Sequence, residues 1–266
     1  MAVADLSLKN LTTEMDGNVL IIRLNRPPAN AHDLEMIREL ETLVTEVRFD
    51  PAVKAVVLAS ANDKFFSAGA DIQVIRDFPG DYVGLLSQTS KEMMMKVRAT
   101  PKVYVAAVNG HCMGGGLELA LCCDVRFAGK GSWKVGLPEV NLGLIPGEGG
   151  TQFLGRVVGP SRALLLMVTG ESFGAERATE LGLFDELVEA KDLMPRALEF
   201  AHLCADGPNQ AIGFMKLALT EGLEMSIHDS FAYERHLQNQ LFDTPDSKEG
   251  VRAFLEKRAP QWGKGE

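Results

Sequence analysis

The chain has 266 residues, 46% of them hydrophobic and 24% charged, with 27 Lys and Arg against 36 Asp and Glu for a net charge of −9. This is globular composition, long enough for one large core, and the acidic balance argues against a polyanion-binding surface spread over the whole molecule. No apolar run approaches the ~18 residues of a membrane span, and the N-terminal MAVADLSLKNLTTEMDG lacks the basic-then-apolar pattern of a secretory signal. Residues 18–24, NVLIIRL, read as a buried strand, and the following NRPPAN as a turn. From Asp33 to Phe49, Leu34, Ile37, Leu40, Val44 and Val47 recur at three- and four-residue steps, which predicts an amphipathic helix with Asp33 as its N-cap. VKAVVLAS (53–60) has the continuous apolar character of a strand buried on both faces. A polar stretch at 73–84 leads into a helix from Val83 to about Val97, then KVYVAAV (102–108) and CDVRFA (123–128) read as two more strands.

Strands interleaved with helices predict an α/β fold of repeated ββα or βαβ units. Beyond about Pro160, helical patterns follow at 161–169, 174–182, 192–205, 208–222, 226–240 and 246–258, with few strand signals among them. Residues 1–200 are therefore read as a sheet-bearing core that holds the active site. Residues 201–266 are read as a helical C-terminal region suited to packing on a neighbouring subunit.

The four cysteines, Cys112, Cys122, Cys123 and Cys204, form neither a CxxC pair nor a disulfide framework, which points to a reducing, cytoplasmic setting with each thiol a small buried hydrophobe. His32, His111, His202, His228 and His236 are scattered, without HExxH, and no serine sits in a GxSxG elbow, so no metal site is expected. Carboxylates and backbone amides remain as the candidate chemistry. Glycine is the compositional excess, and 11 of its 26 residues fall within Gly110–Gly150.

Three glycine-rich segments carry that chemistry. In VNGHCMGGGLELA (108–120) a strand runs through three glycines into a helix, whose free N–H groups favour negative charge. The pattern is neither GxGxxG nor a P-loop, so an oxyanion developing on a carbonyl is the alternative guest to a phosphate. Glu118, in the first helical turn, either complements the helix dipole or handles a proton. In FFSAGAD (65–71), Gly69 permits a tight turn that turns the Ala70 N–H toward a cleft. In GLPEVNLGLIPGEGGTQFLGR (136–156), Glu139 sits among Pro138, Val140 and Leu142; it is either a solvent-facing loop residue or a carboxyl whose apolar setting suits general-acid duty.

These segments, in this order and together with IIRLNRPPANA near the start and AFLEKRAP near the end, resemble the crotonase superfamily (enoyl-CoA hydratase/isomerase) over nearly the whole chain. The resemblance implies a spiral of ββα units with a C-terminal helical region, assembling as trimers or dimers of trimers. It implies an oxyanion hole formed by the N–H groups of Ala70 and Gly115, catalytic roles for Glu118 and Glu139, and substrate contacts at Ala68, Asp71, Ile72 and Gly147, the last beside the catalytic water. Both glutamates favour an enoyl-CoA hydratase over an isomerase that needs Glu139 alone, or over a non-catalytic acyl-CoA- or RNA-binding relative. The implied substrate is an acyl-CoA thioester, with coenzyme A as part of the substrate, no separate cofactor, no nucleic acid and no membrane partner. Gln73 stands where many relatives carry a phosphate-binding lysine. Trp133 is expected to pack beneath the second glutamate, and the Met93–Met95 run is expected in the core. The basic stretch 248–266 is a candidate to face the CoA phosphates.

Overall fold

A computed structural model describes residue 3 and residues 6–263. Strands β1 (Leu11–Asp16) and β2 (Val19–Leu24) form a hairpin that precedes helix α1 (Leu34–Phe49). Three units then repeat the plan of two strands and a helix. The first is β3 (Ala55–Ser60) and β4 (Phe65–Ser67) with α2 (Ile72–Asp77) and α3 (Gly80–Arg98). The second is β5 (Val103–Val108) and β6 (His111–Met113) with α4 (Gly115–Cys122). The third is β7 (Val125–Gly129) and β8 (Val135–Gly136) with a 3-10 turn (Glu139–Leu142) and α5 (Gly150–Val158). There follow α6 (Pro160–Thr169), β9 (Ser172–Phe173), α7 (Ala175–Glu180), β10 (Glu186–Val188), and the helices α8 (Leu193–Ala205), α9 (Asn209–Gly222), α10 (Ile227–Asn239) and α11 (Pro245–Glu256).

The repeat is ββα because successive strands leave for different sheets. β3, β5 and β7 join a six-stranded sheet of order β1-β2-β3-β5-β7-β10, parallel except for its β1–β2 edge. β4, β6 and β8 join a four-stranded sheet of order β4-β6-β8-β9, antiparallel only at β8–β9. β4 and β6 pair in the second sheet, so the turns that follow them are brought together, and the candidate site lies there.

Alternation along the central strands explains their continuous apolar sequence. Leu20, Ile22, Val56, Leu58, Tyr104 and Ala106 face the main core with α1 and α3, whereas Val19, Ala55, Val57, Val103 and Val105 face a second layer built by Leu193, Ala197, Ala201 and Cys204 of α8. Both faces are covered, so the runs stay apolar apart from Arg23 near the end of β2, which pairs with Glu14, and Ser60 at the end of β3. The boundary placed after residue 200 falls inside α8. Helix α1 forms as its spacing predicts: Asp33 caps it by accepting the Met36 N–H at 2.8 Å, and Ile37, Leu40, Val44 and Val47 are buried.

Several elements differ from the sequence reading. β1 was not foreseen because it is an edge strand with most of its side chains partly or fully exposed, leaving little apolar pattern. β6, β8, β9 and β10 are two or three residues each, too short to show a period. The polar 73–84 stretch contains α2, capped by the Asp71 carboxylate on the Gln73 N–H at 3.0 Å, and α3 begins at Gly80 rather than Val83. The four cysteines are free and buried. Trp133 packs as expected, its ring edge-on to Phe184 at 5.9 Å and its Nε1–H donating to the Gly129 carbonyl at 3.0 Å. Met93 and Met94 lie in the core, whereas Met95 is exposed.

Candidate active site

The end of β4 and the end of β6 run side by side, and the turns that follow them touch. Gly69 has φ +82°, and a Cβ there would lie 2.6 Å from the Met113 carbonyl and 2.7 Å from the Gly115 nitrogen, so only glycine allows the approach. The three consecutive glycines each admit a different neighbour. A Cβ at Gly114 would meet Glu139 Oε1 at 2.6 Å, one at Gly115 the Glu148 carboxyl at 2.9 Å, and one at Gly116 the Ser67 carbonyl at 2.5 Å. Gly114 has φ +51° and serves as N-cap of α4. The Ala70 and Gly115 amides thus stand on adjoining turns, and neither has a hydrogen-bond acceptor among the described residues. Gly115 is the first residue of α4, where the helix dipole adds positive potential to its N–H. Two such donors side by side suit a carbonyl oxygen that gains charge.

Glu118 belongs to the first turn of α4, and the Glu139 carboxyl lies over Gly114 just before it. Glu118 is 1% exposed, and its Oε1 accepts the N–H groups of Glu148 at 2.8 Å and Gly150 at 2.5 Å. Its carboxylate therefore reaches the start of α5 rather than the amides of its own helix. Burial, then the neighbouring Glu148 carboxylate and more weakly Glu139, push the Glu118 carboxyl up to about 8, against the pull of the Gly150 and Glu148 N–H groups. Glu139 begins the 3-10 turn, Oε1 over Gly114 and Oε2 buried without a hydrogen-bond partner among the described residues. Burial raises its carboxyl above the ordinary range, and the Glu148 charge adds to the shift. Glu118 and Glu139 are thus both pushed toward the protonated form, and neighbouring carboxyls of this kind titrate together rather than independently.

Glu148 and His32 were not foreseen as site residues. Glu148 is 4% exposed and His32 fully buried, and Glu148 Oε2 lies 2.9 Å from His32 Nδ1. His32 stands where the loop before α1 runs beside the turn that carries Ala70: its N–H donates to the Gly69 carbonyl at 2.7 Å, and its own carbonyl accepts from Asp71 at 2.9 Å. The only sequence signal is a glutamate inside the PGEGG turn and a histidine in PPANAH, neither of which announces the other.

The remaining residues expected at the substrate surround these turns. Ala68 donates its N–H to the Ala29 carbonyl at 2.9 Å. Asp71 accepts from Arg26 at 2.9 Å, and the same guanidinium holds Asp33 at 2.9 Å, so Asp71 braces the turn. Ile72, at the start of α2, is exposed. Gly147 offers its carbonyl to Ser87 Oγ of α3 at 2.5 Å; the amides that reach Glu118 come from Glu148 and Gly150. Within the basic 248–266 stretch, Arg252 and Arg258 are both paired with Glu249, and Lys264 lies outside the described residues.

Residues 14–265 match the family model described as enoyl-CoA hydratase/isomerase. The chain is 35% identical to the crotonyl-CoA hydratase of Syntrophomonas wolfei over 95% of its own length and 97% of the relative's. It is also 35% identical to the 2,3-dehydroadipyl-CoA hydratase of Escherichia coli K12, over 96% and 99% of the two chains. An enoyl-CoA hydratase crystal structure from Geobacillus kaustophilus superposes with a TM-score of 0.94 at 40% identity, covering 97% of this chain and 98% of that one. With its two-sheet ββα spiral and its paired glycine turns, the chain belongs to the enoyl-CoA hydratase/isomerase family of the crotonase superfamily.

Proposed function

We propose that the protein is a hydro-lyase that adds water reversibly, in syn geometry, to a trans-2-enoyl-CoA to give a 3-hydroxyacyl-CoA. One observation carries the reading: Glu118, in the first turn of α4, and Glu139, whose Oε1 lies over Gly114, are two raised carboxyls beside the turn that presents the Gly115 amide next to the Ala70 amide. The thioester oxygen sits between the two N–H groups, which stabilise the enolate-like charge; losing one such donor costs about 3 kcal/mol in the barrier. The reacting state is the one in which the proton shared by the pair has passed from Glu118 to Glu139: Glu118, as carboxylate, then takes a proton from water as its oxygen attacks the β-carbon, and protonated Glu139 delivers a proton to the α-carbon. The two carboxyls end with their protonation exchanged, and the cluster keeps its count. Hydration needs one carboxyl of each state, and the mutual raising within the cluster favours that mixture near neutrality.

Relatives named as hydratases of crotonyl-CoA and 2,3-dehydroadipyl-CoA support an acyl-CoA thioester as substrate class, with coenzyme A part of the substrate and no separate cofactor. Homotrimers, alone or paired, account for the exposed Leu219, Leu223, Phe231, Phe254 and Leu255 on the C-terminal helices. The four unpaired cysteines fit a cytoplasmic setting, and no helix among the described residues is long and apolar enough to cross a membrane.

The test follows the loss of conjugated-thioester absorbance on hydration, across enoyl-CoA chain lengths. Glu139→Gln is expected to lower kcat by about 10²–10⁴-fold while acyl-CoA still binds; near wild-type turnover would sink the assignment. Glu118→Gln is expected to lose hydration as well. If that variant instead moves the double bond of a 3-enoyl-CoA at an undiminished rate, the protein is an isomerase using Glu139 alone.

A further inference from the structure

The reaction above uses two carboxyls of the cluster and leaves the third, Glu148, with its buried partner His32. The hydrogen bonds around Ser67 settle where the imidazole carries its protons. Ser67 has one hydroxyl hydrogen, and Oγ donates it to the Asn30 carbonyl at 2.7 Å. Oγ then accepts from the Gly69 N–H at 3.1 Å and, at 3.0 Å, from His32 Nε2, which must bear a hydrogen. Nδ1 therefore faces Glu148 Oε2 across 2.9 Å with a single proton between imidazole and carboxyl. Glu148 lies flat against Gly115 at the N-terminus of α4, where the helix dipole favours negative charge. The chain of contacts runs from Gly115 through Glu148, His32 and Ser67 to Gly69, whose next residue is Ala70. Both halves of the oxyanion hole are its endpoints.

We propose that Glu148, His32 and Ser67 form a buried positioning relay that joins the two amide-bearing turns and keeps a negative charge beside Glu118, so that the catalytic carboxyls hold their working proton. The charged groups around Glu148 are Glu118 from α4, Glu139 from the 3-10 turn and His32 from the loop before α1; Arg26, in that loop, is taken up by Asp33 and Asp71. His32, 2.9 Å from Glu148, offsets part of its charge, and the remainder acts on Glu118, whose Oε1 is bonded to the Glu148 backbone N–H. The Glu148 N–H, donating to Glu118 Oε1, fixes the distance over which it acts.

This inference rests on the hydratase reading for its kinetic arm alone. The measurement is a ¹³C carboxyl titration of Glu118 in the substrate-free protein, for wild type and Glu148→Gln, beside the pH profile of kcat/KM for a trans-2-enoyl-CoA. Glutamine keeps the shape and can still hydrogen-bond Nδ1, so the clamp stays while the charge goes. The Glu118 midpoint and the alkaline limb of the profile are both expected to fall by at least about one pH unit, with KM little changed. In wild type, ¹⁵N shifts of His32 should report a hydrogen on Nε2, as the Ser67 contacts require. A His32 without hydrogen on Nε2, or a Glu118 midpoint and alkaline limb that stay in place in Glu148→Gln, overturns the proposal even if the variant loses thermal stability. Should Glu148→Gln fail to fold, the double variant His32→Leu, Glu148→Ala removes both charges and faces the same two readouts. If the wild type hydrates nothing but the Glu118 midpoint still moves, the functional reading fails and the relay stands.

Discussion

The glycine seam and the C-terminal helices break the same rule in opposite directions. At the seam of Gly69 and Gly114–Gly116, charged groups lie inside: Glu118, His32 and Glu148 are all buried. On α9–α11, large apolar side chains lie outside, with Leu223, Phe254 and Leu255 each at least 75% exposed. Helix α8, between the two, follows the ordinary rule and buries one apolar face on the sheet. The inward charges are tolerated because each has a backbone N–H, a carboxylate or an imidazole within hydrogen-bond distance, and the strain of their mutual repulsion is what tunes them. The outward apolar groups have no such answer within the chain, and a contiguous apolar face of this kind suits a second copy of the protein. On the function proposed above, the departure from apolar-in, polar-out would serve chemistry in one place and assembly in the other.

The largest expected difference between the regions is in packing. Phe66 of β4 is fully buried between the turns and the core, and Phe66→Ala should cost about 3–5 kcal/mol in denaturant unfolding. A loss below about 1 kcal/mol would mean that the seam is far looser than its contacts imply.

The next effect is electrostatic and changes with pH. The Glu118 carboxyl has an ordinary value of 4.5 and stands near 8 in the fold. Below both values it is protonated in folded and unfolded chains, and its full contribution to stability is present. As pH rises from about 4.5 to 8 the unfolded chain ionises first, so that contribution is lost across the window and stays lost above it. Glu118→Gln removes this penalty while its amide oxygen still accepts the Glu148 and Gly150 N–H groups. Thermal unfolding should show the variant gaining on wild type between about pH 5 and pH 8.5, at the expense of hydration. A constant difference across that range would remove Glu118 from the titrating cluster.

The smallest effect on folding and the sharpest on assembly is expected at Phe254, which is 83% exposed. Phe254→Ser should alter the stability of the isolated chain by no more than about 0.5 kcal/mol. Sedimentation should nevertheless show smaller species than wild type. An unchanged assembly would take Phe254 out of the interface and leave the comparison resting on the other exposed side chains of α9–α11.

Local chemistry was legible wherever neighbours in sequence decide the outcome. Asp33 and the spacing of Ile37, Leu40, Val44 and Val47 define α1, because a helix cap and a helix face lie within a few residues. The apolar runs of β2, β3 and β5 announce strands covered on both sides, and the glycine turns with Glu118 and Glu139 announce a site through their resemblance to one family. The edge strand β1 and the two- and three-residue strands were not legible, since their pairing partners supply the order that their own side chains do not. Tertiary structure alone decided that Glu118 would reach the start of α5, and that each glycine of the triplet would admit a different group. It alone brought Glu148 to His32 across 116 positions of chain. A buried charge is set by what surrounds it, and its surroundings come from segments whose distance in sequence carries no trace of their contact in space.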